Sequence, residues 1–86
     1  MDRIYKIENT YYSEYMGPEF RTVYVEARDE DEARQIFGNH FPTDDDGHCG
    51  NYEIDDLREF ERVCVPSNVR PGYDFFTRET PEQGWL

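Results

Sequence analysis

Between Phe20 and Phe37 the chain reads FRTVYVEARDEDEARQIF, a strand pattern that turns into a capped amphipathic helix with almost no loop. Val23, Val25 and Ala27 alternate with Tyr24 and Glu26, the period of a half-buried strand. Asp29 stands at an N-cap position with Glu32 three residues on, an acidic variant of the capping box. Asp29, Glu30, Asp31 and Glu32 crowd the first turn, where the helix macrodipole favours negative charge. Ala33, Ile36 and Phe37 supply an apolar stripe, and Gly38-Asn39 is a stop signal. A helix that begins this soon after a strand folds back onto the sheet that holds the strand. Val23, Val25, Ala27, Ala33, Ile36 and Phe37 are therefore the expected core.

The flanking segments complete a sheet. Arg3 to Tyr12 reads as a first strand, with Tyr5, Ile7, Asn9 and Tyr11 on one face and Ile4, Lys6 and Glu8 on the other. Ser13 to Pro18 is a loop, so this strand pairs with Phe20–Ala27 as an antiparallel hairpin. Pro42 to Gly50, PTDDDGHCG, is a polar, turn-rich segment expected at the surface. In Asn51–Val65 the spacing of Ile54, Leu57 and Phe60 is helical, whereas Glu61, Val63 and Val65 alternate with Arg62 and Cys64. A strand bulged near Asp55-Asp56 is the preferred reading, with a short helix at Ile54–Phe60 as its competitor. Beyond about residue 66, Pro66, Pro71 and Pro81 exclude a long regular element, but Tyr73–Arg78 can add an edge strand. Trp85 and Leu86 suggest a tail pinned back onto the body. The expected fold class is α+β: an antiparallel sheet of three to five strands with one principal α-helix, about Asp29–Gly38 or a turn beyond, on one face.

At 86 residues this is a single small domain, residues 1–86, with a Pro- and aromatic-rich tail. Such a chain buries little more than ~60% of the surface its unfolded form exposes, so the core is thin. The aromatic share of 16% offsets a hydrophobic share of only 36% and argues for a packed fold, not a disordered acidic chain. The net charge is -11, with 20 Asp and Glu against nine Lys and Arg. Direct nucleic-acid binding is not expected, because it needs cations to neutralise phosphates. A basic protein surface is the complementary partner. MDRIYKIENTYY has no apolar run of signal-peptide type, and no stretch is long enough to span a bilayer. A cytoplasmic protein with reduced Cys49 and Cys64 and no membrane partner is the expectation.

Chemistry-bearing motifs are few. Aligning Gly47 with the glycine of an EF-hand loop puts Asp44, Asp46 and Glu53 at ligand positions, but Pro42 stands where the first Asp belongs. His40, His48, Cys49 and Cys64 match no zinc spacing, and Cys64 in an apolar run reads as a small core residue. No nucleophile elbow, phosphate loop or Cys–His signature is present. The expectation is no enzyme activity, no catalytic residue, no cofactor and no metal.

Surface recognition remains. The acidic groups are Asp29–Glu32, Asp44–Asp46, and Glu53 through Glu61 with Asp55, Asp56 and Glu59; on one side of the fold they would form a broad negative patch. Asp29–Glu32 already serve the helix terminus, so Asp44, Asp45, Asp46, Asp55, Asp56 and Glu59 are the expected partner-binding carboxylates. Tyr12 and Tyr15 near the first loop are candidate anchors, since tyrosine is enriched at interface hot spots.

The layout over residues 3 to 65, a strand pair ending in VEARDEDEARQIF followed by a polar loop and another strand, resembles small proteins of bacteriophages and mobile elements. Anti-CRISPR proteins share this arrangement of a sheet with one helix. The resemblance implies an anti-defence inhibitor that acts in an infected bacterial cell, binds a CRISPR effector complex and blocks DNA access. The alternative is a non-enzymatic phage scaffold or regulatory module whose charge serves solubility.

Overall fold

The computed structural model describes residues 1–13, 17–41 and 52–81. Its elements are β1 (Arg3–Ser13), β2 (Gly17–Ala27), α1 (Glu30–His40), β3 (Tyr52–Phe60) and β4 (Phe75–Thr77). They form one helix and a four-stranded sheet in the order β3-β1-β2-β4. β1 and β2 pair antiparallel without a register break, from Arg3 opposite Ala27 to Ser13 opposite Gly17. β2 thus begins three residues before the expected Phe20. Gly17, at φ 74°, takes the left-handed conformation that glycine adopts without steric cost.

The register sorts the residues by face. Tyr5, Ile7, Val23, Val25 and Ala27 lie under α1 and form the core with Ala33, Ile36, Phe37 and Phe76. All six core residues expected from the strand-to-helix pattern are buried. Asp29 caps α1 through Oδ1, which accepts from the Glu32 backbone N–H at 2.8 Å. Glu32 reaches back in turn, but to the backbone N–H of Arg28, one residue upstream of the usual capping-box partner. At its other end α1 continues to His40, within the turn allowed beyond Gly38, and Phe41 donates its N–H to the Phe37 carbonyl. Ring packing explains the extra residues. Phe41 lies 5.0 Å from Phe37 and 5.4 Å, edge-on, from Phe76.

β3 shows how a sequence with helical spacing makes a strand. Its register with β1 shifts between Glu8 and Asn9, so that Asn9 faces Ile54 and Glu8 faces Asp56, with Asp55 as the extra residue. The bulge lets both Ile54 and Leu57, three apart, pack against the helix-side core. The strand ends at Phe60. The expected alternation over Glu61–Val65 is instead a 3₁₀ turn, Arg62–Cys64, that leaves Val63 88% exposed. Cys64 is also exposed, not a core residue, because its turn lies outside the sheet and has no buried side chain.

The expected edge strand is present as β4, but it runs parallel to β2, so the sheet is mixed and not purely antiparallel. Residues 61–74 carry the chain from the β3 edge to the β2 edge, long enough for the parallel crossover that needs about a dozen residues. On the face away from α1, Ile4 and Tyr24 are buried, and Phe60 packs on Tyr24 with ring centroids 5.3 Å apart. No helix among the described residues is long and apolar enough to cross a membrane.

Candidate functional site

The first acidic group, at the start of α1, is built into the fold. Arg78, just past β4, donates to both carboxylate oxygens of Asp2 at 2.9 and 3.2 Å and to Glu32 Oε1 at 2.6 Å. One planar fork thus ties the N-terminus, the first turn of α1 and the end of β4 together. Hydrogen bonding by Arg78 holds both carboxyls below their ordinary range, and for Glu32 the Arg28 backbone N–H adds to this. The two carboxylates in turn raise Arg78, Glu32 contributing first. Because both carboxyls are lowered on folding, the stability they contribute is complete above pH 4.5. It is lost as acid protonates them through their lowered folded values. Melting curves from neutral pH to about pH 2 should show Arg78→Gln less stable than the parent at neutrality and the gap closing in acid. A gap that stayed constant would show that Arg78 acts only through packing.

The second group, on β3, is divided between faces. Asp56 pairs across β1 with Glu8, on the face away from α1, and Glu59 pairs with Tyr5, on the helix face. Asp55, in the bulge, accepts from Thr10 Oγ1 at 2.6 Å. Asp56 lies 3.6 Å from Arg58, and Glu59 lies 3.4 Å from Arg3. The helix start sits at the Arg3 end of β1, whereas Asp55 sits beside Thr10. Seven residues of strand separate these levels, about 23 Å at ~3.3 Å per residue. The described acidic groups therefore decorate both ends and both faces of the sheet and do not merge into one patch.

Asp44, Asp45, Asp46 and Tyr15 lie outside the described residues, as do His48, Cys49, Trp85 and Leu86; the Tyr12 and Glu53 side chains are likewise not described. Among the described residues no three His, Cys, Asp or Glu side chains converge as a metal site.

All nine cationic side chains are described, and seven of them, Arg3, Lys6, Arg28, Arg34, Arg58, Arg62 and Arg78, face a carboxylate of this chain. The other two lie over aromatic rings, Arg21 at 4.1 Å from the Phe41 centroid and Arg70 at 4.9 Å from that of Tyr73. The cations are thus dispersed over the helix and the sheet and do not gather into one stripe.

Sequence reasoning missed two features. Asn9 is 1% exposed on the helix face of β1, and among the described residues neither its Oδ1 nor its Nδ2 meets a hydrogen-bonding partner. Its alternation with Tyr5 and Ile7 was the available signal. The other is a shallow groove of about 470 Å³ lined by Glu8, Asn9, Thr10, Phe20, Arg21, Thr22 and Asp55. The register places Glu8, Thr10, Phe20 and Thr22 on the face away from α1. Phe20 is 83% exposed there. No protein-family model, curated protein or solved structure matches this chain.

Proposed function

We propose that this protein is a non-enzymatic binder of a basic, nucleic-acid-handling protein surface, and that its specific role is that of a phage-type, anti-CRISPR-like inhibitor blocking DNA access inside a bacterial cell. The observation that supports this is the disposition of charge. A chain with net charge -11 engages seven of its nine cations with its own carboxylates, so no cationic stripe remains for phosphate. Its outward field suits a Lys/Arg-lined channel of the kind that tracks a nucleic-acid backbone.

The test is retention of bacterial lysate proteins on the immobilised protein at low and high salt, with and without added duplex DNA. The expected result is retention of basic nucleic-acid-binding proteins that are released by salt and displaced by DNA, since screening shortens the reach of exposed charges to ~8 Å or less. Retention indifferent to both would favour the scaffold reading, with exposed Phe20, Val63 and Tyr73 as the contact surface. Replacing Asp44, Asp45 and Asp46 together by Lys should weaken the salt-sensitive retention at least tenfold, about 1.4 kcal/mol or more. An unaltered profile for that variant would remove the acidic loop from the binding site.

A further inference from the structure

We propose that the outward backbone edge of β2 at Phe20 and Thr22 receives an extended segment of a partner that carries a Lys or Arg two residues from an apolar residue, so that both fall on one face, and that this segment adds a strand to the sheet in line with β4. The inference rests on the reading of the protein as a binder of basic surfaces and locates where the contact is made.

β4 pairs with β2 only over Tyr24–Glu26. The Tyr24 N–H points to that side, donating to the Asp74 carbonyl at 2.8 Å. Backbone groups alternate along a strand, and β2 has no register break, so the N–H and C=O of Thr22 and Phe20 point the same way as those of Tyr24. Arg21 and Val23 point their backbone groups toward β1. Among the described residues no strand pairs with β2 beyond Tyr24 on that side. An edge of this kind is a template for β-augmentation.

The two edges of the sheet differ in how they are protected. β3 carries Asp55, Asp56, Arg58, Glu59 and a bulge, all features that blunt strand addition. The β2 edge presents Phe20, 83% exposed, with Thr22 beside it, next to the groove that also holds Glu8 and Asp55. Arg21, the one cation lining that groove, has its guanidinium over Phe41. Lys6 lies 3.3 Å from Glu8 and Asp55 is bonded to Thr10, so an incoming cation shares these carboxylates with existing partners. An added strand lies about 5 Å from β2, and Glu8 is one strand further across the sheet. A Lys or Arg beside Thr22 spans that interval, while an apolar neighbour covers Phe20. Charge decides the occupant: a second copy would bring another net -11 to the edge, whereas a basic segment is complementary.

The probe is a fluorescent peptide of about ten residues with the repeat Lys-Thr-Val-Thr, which puts Lys and Val two residues apart on one face, measured by anisotropy beside poly-L-lysine. The parent should bind the peptide, and alternate N-methylation of its backbone should weaken binding at least tenfold. Thr22→Pro removes one outward N–H without touching the β1 ladder and should weaken it similarly; Phe20→Ser should cost several-fold. On binding, amide exchange should slow at Phe20 and Thr22 and stay unchanged at Arg21 and Val23. The N-methylated peptide leaves the protein unaltered, so the test survives a misfolded Thr22→Pro. Equal binding of methylated and unmethylated peptides would overturn the edge inference while leaving the basic-surface reading in place. Binding of poly-L-lysine but not the Lys-Thr-Val-Thr peptide would do the same, and binding of neither would remove both. Protection of Phe20 and Thr22 in a homodimer without peptide would overturn the choice of occupant.

Discussion

Replacing Phe37 by alanine should destabilise the protein by about 3–5 kcal/mol, the usual cost of truncating a buried aromatic ring. Phe37 is 1% exposed, sits among Val23, Val25 and Ile36 in the core, and touches Phe41, through which the helix end reaches Phe76 on β4. Truncation therefore empties the contact between helix and sheet and also loosens the ring chain that anchors the last turn of α1. A domain of this size is stable by roughly 4–13 kcal/mol in all, so the loss is a large share of the total. At ~4–8 °C per kcal/mol, the melting temperature should fall by ~12 °C or more. Phe20→Ala is the matched control, since that ring is 83% exposed and its removal should stay within about 0.5 kcal/mol. Equal effects from the two substitutions would mean that α1 does not pack on the sheet through Phe37.

Asn9→Leu should do the opposite and stabilise the fold by about 1–3 kcal/mol. Leucine has the same branching as asparagine but no polar atoms, and the site lies beside Ile7 and opposite Ile54 on the helix face. Burying an amide whose oxygen and nitrogen find no partner among the described residues costs the hydration of both groups, and a leucine removes that cost. Two methyl groups in place of the oxygen and nitrogen add volume, and the overpacking takes part of the gain, which keeps the expected value toward the low end of that range. A rise of at least ~4 °C in the melting temperature is the expected result. A fall would show that the amide is hydrogen-bonded in solution and holds the register beside the bulge. Asn9 also lines the groove beside Phe20 and Thr22, so the Leu variant should be assayed for partner binding as well.

Wherever a structural choice depends on neighbours a few residues apart, the sequence by itself determined it. The alternation of Val23, Val25 and Ala27, the Asp29–Glu32 cap and the Ala33, Ile36, Phe37 stripe name the strand, the helix start and the core, because strand parity and helical periodicity are local properties. Even the bulge was legible, since Ile54 and Leu57 can share a face of a strand only if one residue is inserted between them. Beyond that range the tertiary structure decided. Alternation at Glu61–Val65 gave no strand because Phe60 already lies opposite Ile4 and β1 begins at Arg3, so a longer β3 would run past the end of its partner. The direction of β4 depends on the path of residues 61–74 across the sheet, which no local pattern encodes. Arg78 joins Asp2, 76 residues away, to Glu32, and the acidic groups separate onto two faces. Those contacts follow from where whole elements are docked, and docking is governed by burial of apolar area, which carries no sequence register of its own.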